Sequence, residues 1–144
     1  MGGKNAGLIS ALILALSPTY ITRTSLGFFD DETVGLLGVI LCFLFFLRAV
    51  ENNRPIKSSV VYGVLAGVSL GYIFSAWGAA LYPLGIIVLF AFVSILLGRY
   101  STRLLLTYSL TFGIGLLIAI GVPKIGLRYL TTWPILIVMG LFLL

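Results

Sequence analysis

The chain has 144 residues, of which 60% are apolar and 9% are charged, and it carries a net charge of +5. An ordinary globular domain is about half apolar and roughly a quarter charged, so this composition excludes a soluble globular fold, and the high apolar content excludes an intrinsically disordered chain. Because there is one cysteine and no histidine, a disulfide framework, a zinc site and a histidine-based acid–base centre are excluded within this chain.

Apolar segments of membrane-spanning length follow one another along the chain. A bilayer-spanning helix needs about 20 mostly apolar residues, and five segments approach that length: 5–21, 34–50, 59–74, 79–97 and 104–122. We therefore predict an all-α membrane protein, a polytopic helix bundle with about five full spans and a truncated one, in a single partial transmembrane domain covering 1–144. Because the last apolar run, 134–144, is too short to cross, we expect the chain to be a fragment of a larger protein.

The distribution of charge predicts the orientation of this bundle. An excess of Lys and Arg would suggest nucleic acid binding in a soluble protein, but in a membrane protein it marks the cytoplasmic loops. With the N-terminus in the cytoplasm, six cations lie inside and three lie outside, namely Arg23, Lys124 and Arg128. We expect a multi-pass cell-membrane protein in contact with the bilayer, with no nucleic acid partner. Because Lys124 and Arg128 oppose the rule, we hypothesise that they contact phosphate.

Two patterns predict how the spans pack. A stripe of small residues recurs every four positions, which lets two membrane helices approach closely; it comprises Gly63, Gly67, Gly71, Ser75 and Ala79. Pro18 and Pro83 lie inside predicted spans, where proline kinks a helix.

The external loop at residues 22–33 carries three of the four acidic residues of the chain, Asp30, Asp31 and Glu32. Carboxylate oxygens suit Mg²⁺ or Mn²⁺, and a divalent ion at the membrane surface is a natural partner for a phosphate-bearing lipid. Residues i and i+2 share a side only in an extended segment, so Asp30 and Glu32 face one site only if this stretch is loop. Two carboxylates are too few for a closed site, so further oxygens must come from other residues, substrate or water.

The same residues also have a purely structural interpretation. Acids at a helix N-terminus satisfy free N–H groups and complement the helix dipole, so Asp30 or Asp31 is also explained as an N-cap. Arg23, at the end of the first predicted span, either extends towards lipid headgroups or pairs with the carboxylates or with a substrate phosphate.

The run from Ser17 to Glu32 resembles the region of the second acidic motif in the catalytic subunits of oligosaccharyltransferases. In that family a span ends in a proline–aromatic step, followed by Ser/Thr-Arg, a small residue and glycine, two aromatics and the acidic motif. The lead-in 2–8 resembles that of archaeal members, and the segment 75–78, Ser-Ala-Trp-Gly, resembles a Trp-Gly element two spans later. The similarity extends in order over nearly the whole chain.

This resemblance implies the GT-C membrane fold and protein N-glycosylation. An oligosaccharide is transferred from a polyprenyl (dolichyl) phosphate or pyrophosphate carrier to the asparagine of Asn-X-Ser/Thr in an acceptor polypeptide, with Mn²⁺ or Mg²⁺ as cofactor. Carried over by motif, Asp30 would be a metal ligand, Glu32 would be the second acid of the metal site, either a ligand or a neighbour of it, and Arg23 would bind substrate beside the carboxylates, near the lipid phosphate. No catalytic residue is assigned within this chain.

Three elements of the family pattern are missing from this chain: an earlier acidic loop, a later glutamate-bearing loop and a Trp-Trp-Asp-Tyr-Gly element. The expected enzyme segment is therefore catalytically incomplete and inactive alone. The alternatives are another GT-C glycosyltransferase that uses a lipid-phosphate sugar, or a non-enzymatic packing or transport subunit. A transporter is expected to carry ionisable residues near mid-membrane, and no charged residue lies deep in a predicted span.

Overall fold

The computed structural model describes residues 3–25, 31–76, 80–123 and 125–143, and within these ranges the chain folds into helices joined by short turns. The α-helices are α1 Lys4–Ala15, α2 Pro18–Thr24, α3 Asp31–Val50, α4 Ile56–Ala76, α5 Leu81–Leu96, α6 Thr102–Gly121 and α7 Trp133–Gly140. Two short 3-10 helices, Leu127–Thr131 and Leu141–Leu143, flank α7. The predicted all-α membrane bundle is confirmed.

The helices differ from the predicted spans in number. Three of them, α3, α4 and α6, are long and apolar enough to cross a membrane, with 20, 21 and 20 residues. The pair α1 and α2 passes the same test together, but the two helices meet at a bend of 60°. α5 has 16 residues and extends about 24 Å, short of a hydrocarbon core of ~30 Å. By length and composition the described residues thus include three helices able to span a membrane, a bent pair that is either a broken span or a re-entrant loop, and a shorter apolar helix.

Proline accounts for the bend between α1 and α2. Pro18 is the first residue of α2 and follows Ser17, whose backbone is extended. Proline is tolerated at the first helical position because its missing N–H has no intrahelical acceptor there, and it disfavours a helical conformation in the residue before it. The kink predicted at Pro18 is therefore confirmed. Pro83 lies in the first turn of α5, which begins at Leu81, so it interrupts no hydrogen bond within that helix and the kink predicted there is wrong.

The most extensive contact in the bundle is between α4 and α6, along the small-residue stripe of α4. A Cβ atom on Gly67 would lie 2.8 Å from Cβ of Ile114 and 2.9 Å from the carbonyl oxygen of Leu110. A Cβ on Gly71 would lie 2.7 Å from Cβ of Ile118. These distances leave no room for a side chain, so the packing role predicted for the stripe is confirmed at these two glycines.

Of the remaining positions of the stripe, only Gly63 shares this contact among the described residues. A Cβ on Gly63 would lie 3.3 Å from Cβ of Leu110, so this glycine also faces α6. Ser75 is exposed and donates a hydrogen bond to the carbonyl oxygen of Gly71 one turn earlier, and Ala79 lies outside the described residues. The stripe therefore packs α4 against α6 over at least two helical turns.

A partly buried arginine joins three elements where α3 ends and where α4 and α6 begin. Arg103 Nη1 donates a hydrogen bond to the carbonyl oxygen of Glu51 at 3.0 Å and another to Oγ of Ser59 at 2.7 Å. Ser59 is fully buried, so its hydroxyl needs a hydrogen-bond partner within the protein.

Replacing this arginine should destabilise the bundle. We expect Arg103→Met to lower the free energy of unfolding by about 1–3 kcal/mol, because the buried Ser59 hydroxyl and the Glu51 carbonyl lose their donor. Adding Ser59→Ala should recover part of the loss, because the unsatisfied hydroxyl is then removed. Denaturant unfolding in detergent measures both effects, with Lys57→Met at the same end of the bundle as the control. If the loss of stability in the double variant equals the sum of the losses in Arg103→Met and in Ser59→Ala alone, the hydrogen bond between the two side chains carries no energy and the prediction is wrong.

The charged side chains of the described residues divide between the two ends of the bundle. α3 and α4 are antiparallel, since a Cβ on Gly38 near the start of α3 would lie 2.7 Å from Cγ1 of Ile73 near the end of α4. The end of α3, the starts of α4 and α6 and the turn after α5, which meet at Arg103, carry one acid, Glu51, and five cations, namely Arg48, Arg54, Lys57, Arg99 and Arg103. This asymmetry agrees with the topology expected from the sequence, in which that end faces the cytoplasm.

Candidate functional site

The residues that the sequence singles out in the first external loop lie where α2 ends and α3 begins. Arg23 is in the last turn of α2, and Asp31 and Glu32 are in the first turn of α3. Arg23 Nη1 lies 3.4 Å from Glu32 Oε2, and the two side chains are 47% and 36% exposed. The sequence left the partner of Arg23 open, and the structure shows a pairing with a carboxylate.

Helix electrostatics favour this arrangement. A cation in the last turn of a helix and an anion in the first turn each complement the partial charge of the helix end. Arg23 and Glu32 occupy those positions on consecutive helices, which favours pairing of Arg23 with an acid of the first turn of α3 but does not by itself distinguish Glu32 from Asp31. Ion pairs at exposed positions stabilise a protein by only about 0–1 kcal/mol, so this pair mainly orients the two side chains.

The structure tests the proposed metal ligands only in part. Asp30 lies outside the described residues, while Glu32 lies in a helix that begins at Asp31. The extended conformation that would bring positions 30 and 32 to one side is therefore absent at Asp31 and Glu32. Over residues 3–25, 31–76, 80–123 and 125–143, no group of three His, Cys, Asp or Glu is placed to hold a metal ion. Metal binding by Asp30 and Glu32 stays a prediction.

The donor chemistry at Glu32 suits a hard cation, although the number of donors does not. Glu32 Oε2 is shielded from solvent and accepts no hydrogen bond from the part of the chain that the structure describes. Carboxylate oxygens of this kind are the ligands that Mg²⁺ and Mn²⁺ prefer. One described carboxylate is too few for a site, so a bound ion would take further oxygens from Asp30, from the rest of the protein, from substrate or from water.

A second cationic position lies at the same end of the bundle. Arg128 is exposed on the 3-10 helix Leu127–Thr131, and the neighbouring Tyr129 packs edge-on against Phe74 near the end of α4, with ring centroids 5.7 Å apart. Arg128 and Tyr129 border a shallow cavity of about 370 Å³. Lys124 lies outside the described residues, so phosphate binding by Lys124 and Arg128 stays a prediction.

The polar cluster that sequence reasoning missed lies at the opposite end, where Arg103 contacts Ser59 and Glu51. The one available signal was the position of Arg103 two residues after Ser101, whose side chain caps α6 by accepting a hydrogen bond from the N–H of Leu104. An arginine inside the first turn of a span, rather than in the loop, can reach a neighbouring helix.

We compared the sequence of this chain with protein-family models and with known proteins. The model of the family described as oligosaccharyl transferase STT3, N-terminal, matches residues 1–144. The dolichyl-diphosphooligosaccharide–protein glycosyltransferase subunit STT3B of Oryza sativa subsp. japonica is 31% identical over 141 residues, covering 98% of this chain and 19% of that protein. The subunit STT3B of Arabidopsis thaliana is 30% identical over 139 residues, covering 96% and 18%. The subunit STT3 of Saccharomyces cerevisiae is 30% identical over 122 residues, covering 85% and 16%.

These matches extend over the α2–α3 junction and the helix bundle alike. The chain spans about a fifth of the length of the curated relatives it matches. The three relatives are eukaryotic, so the similarity of the lead-in to archaeal members stays a prediction. Because the family model covers the whole of residues 1–144, the chain belongs to the oligosaccharyl transferase STT3 family.

Proposed function

We propose that this chain is part of the catalytic subunit of an oligosaccharyltransferase. The enzyme transfers an oligosaccharide from a polyprenyl (dolichyl) phosphate or pyrophosphate carrier to the asparagine of Asn-X-Ser/Thr in an acceptor polypeptide. The observation that carries this proposal is the pair of Arg23 and Glu32, held 3.4 Å apart at a helix junction in a chain of the STT3 family. The GT-C fold and the sequon come from the family resemblance, and the names of the relatives support a dolichyl-linked donor.

In this proposal Arg23 binds the phosphate of the donor lipid. A guanidinium donates hydrogen bonds to phosphate oxygens in a fixed planar geometry. When the bond between the sugar and its carrier breaks, negative charge grows on the departing phosphate, and a cation already in place stabilises it. Glu32 positions Arg23 from the start of α3, so that the cation meets the phosphate in one orientation.

The acidic residues of the junction have a second role in the proposal. Asp30 and Glu32 would contribute carboxylate ligands to Mn²⁺ or Mg²⁺, which when bound would supply positive charge to offset the negative charge of the phosphate. The other ligands and the residues that recognise the acceptor belong to parts of the enzyme beyond this chain, so the chain alone is inactive. The junction faces the external side of the cell membrane and the N-terminus faces the cytoplasm, in accord with the cationic residues gathered at the Arg103 end.

Glycan transfer in vitro tests this function. The complete protein that carries this chain, purified in detergent, is incubated with a lipid-linked oligosaccharide, Mn²⁺ and a fluorescent peptide that contains Asn-Ala-Thr. We expect a glycopeptide of higher mass, no product with the matched Gln-Ala-Thr peptide, and no product after chelation of the metal. If a yeast oligosaccharyltransferase uses the same donor and this protein does not, the chain is a non-enzymatic subunit and the proposal is wrong.

Arg23 gives a separate prediction, because its proposed role is in binding rather than in stability. We expect Arg23→Gln to raise the KM for the donor lipid by about 10- to 150-fold, since a charge-assisted hydrogen bond to phosphate contributes about 1.5–3 kcal/mol. The midpoint of thermal unfolding should barely move, because exposed ion pairs contribute little. Donor titrations and thermal unfolding measure the two effects, with Arg54→Gln at the other end of the bundle as control. A parallel fall in stability and transfer would make Arg23 a structural residue.

A further inference from the structure

A cleft opens between α5 and the ends of α3 and α6 on the side of the bundle that carries Arg103. Its volume is about 840 Å³, within the ~300–1,000 Å³ range of small-molecule sites. The walls are apolar, and their main residues are Ile86, Leu89, Phe90, Val93, Leu97 and Leu104. The mouth is polar, where Asn52, Arg99 and Tyr100 line the cleft.

The depth of the cleft matches one leaflet of a bilayer. Its apolar lining on α5 runs from Ile86 to Leu97, which corresponds to about 16 Å along a helix. That distance is about half of a ~30 Å hydrocarbon core. Leu89 and Leu97 are 60% and 66% exposed, so the wall presents apolar surface at the depth where a lipid chain lies.

The electrostatics of the mouth favour an anionic ligand. Arg99 is exposed and its side chain has no ion-pair partner within the described residues. The only acid among the described residues at this end is Glu51, and Arg54 Nε donates a hydrogen bond to Glu51 Oε2 at 2.8 Å. This hydrogen bond holds the pKa of Glu51 below its usual value. Because Glu51 pairs with Arg54, Arg99 has no carboxylate partner among the described residues.

The backbone fixes Arg99 at the mouth. Gly98 has φ of 67°, a left-handed conformation that glycine adopts without strain. The N–H of Arg99 donates to the carbonyl oxygen of Ser94 at 2.9 Å, and the N–H of Gly98 donates to that of Ile95 at 2.9 Å. These two hydrogen bonds form a Schellman motif, which ends α5 and directs the chain across the mouth of the cleft.

We propose that this cleft binds one phospholipid from the leaflet on the Arg103 side, with an acyl chain along α5 and an anionic headgroup beside Arg99. Two features carry this assignment: the apolar wall is one leaflet deep, as an acyl chain requires, and Arg99, the one described cation that lines the mouth, has no described counter-charge, as an anionic headgroup requires. The site lies at the opposite end of the bundle from Arg23 and Glu32, so it is distinct from the proposed donor site and does not depend on the proposed function.

Native mass spectrometry of the complete protein tests this site. The protein is released from nanodiscs that contain equal amounts of phosphatidylglycerol and phosphatidylcholine, and bound lipids are counted and identified. We expect one retained phosphatidylglycerol in excess over phosphatidylcholine. Arg99→Gln should reduce that preference about fivefold, which is the contribution of one cation near a membrane surface, whereas Lys57→Gln, at the same end but outside the cleft lining, should leave it unchanged.

A variant that fills the cleft separates binding at this site from lipid bound elsewhere. Val93→Trp should remove the retained lipid of either type, whereas Leu117→Trp, on an exposed position of α6 outside the cleft lining, should retain it. If wild type and Val93→Trp carry the same lipid, a further helix of the complete protein fills the cleft and the proposal is overturned. It is equally overturned if wild type binds both lipids alike and Arg99→Gln changes nothing.

Discussion

Asp30→Asn in the complete protein should reduce glycan transfer by on the order of 100-fold or more and should weaken the response of the remaining activity to Mn²⁺. In the proposed metal site the substitution removes a negatively charged ligand, whereas even the loss of an outer partner of a ligand costs about 10–100-fold in affinity or activity. Initial rates of glycopeptide formation across a range of Mn²⁺ concentrations measure both quantities. Folding is followed in parallel by the midpoint of thermal unfolding.

The neighbouring aspartate provides the matched control for this substitution. Asp31 is the first residue of α3, where a carboxylate stabilises a helix by about 0.3–1 kcal/mol. Asp31→Asn removes the same charge one residue away, and we expect a small loss of stability with transfer close to that of wild type. Equal losses of transfer in the two variants would mean that these acids act through the total charge at the helix end, which contradicts a metal-ligand role for Asp30.

Gly67→Ala should lower the free energy of unfolding by about 1–3 kcal/mol, the usual cost of inserting atoms into a packed core. The added Cβ would lie 2.8 Å from Cβ of Ile114 and 2.9 Å from the carbonyl oxygen of Leu110. Since both are atoms of the α6 backbone or directly attached to it, they move only if α6 shifts away from α4. Unfolding in detergent measures the loss, and Gly67→Leu should reduce the yield of folded protein further.

Gly113→Ala is the control for helix propensity. Gly113 lies on α6, and a Cβ there would meet no atom within 4 Å. Alanine is favoured over glycine inside a helix by about 0.5–1 kcal/mol, so this variant should be as stable as wild type or more stable. If both alanine variants stabilise the protein, the α4–α6 contact at Gly67 is looser than the structure indicates.

The sequence predicted α3, α4 and α6 well because polar residues mark both ends of each apolar run. The spans predicted at 34–50, 59–74 and 104–122 correspond to α3 Asp31–Val50, α4 Ile56–Ala76 and α6 Thr102–Gly121, each an apolar run between polar turns. The first predicted span became two helices at 60°, because hydropathy reports how apolar a segment is and not the direction of its axis. Only the proline in that segment carried the directional information.

The candidate site was predictable in part. The charge and order of residues at the first external loop indicated a cation near acidic groups, and the Arg23–Glu32 pair bears this out. The helix start at Asp31 was not predictable, because the same acidic run is compatible with an extended ligand loop and with the capped first turn of a helix. The cluster around Arg103 was also missed, since its partner Ser59 lies 44 residues away and local patterns do not report such contacts.

The most direct test of the proposed metal site is the binding of Mn²⁺ to the purified complete protein, followed by electron paramagnetic resonance. We predict one Mn²⁺ per chain in wild type, an affinity weakened by on the order of 100-fold or more in Asp30→Asn and in Glu32→Gln, because even the loss of an outer partner of a ligand costs about 10–100-fold, and unchanged affinity in Asp31→Asn. If Asp30→Asn binds Mn²⁺ as tightly as wild type, the acids at the start of α3 serve the helix end alone, and the proposed metal site is wrong.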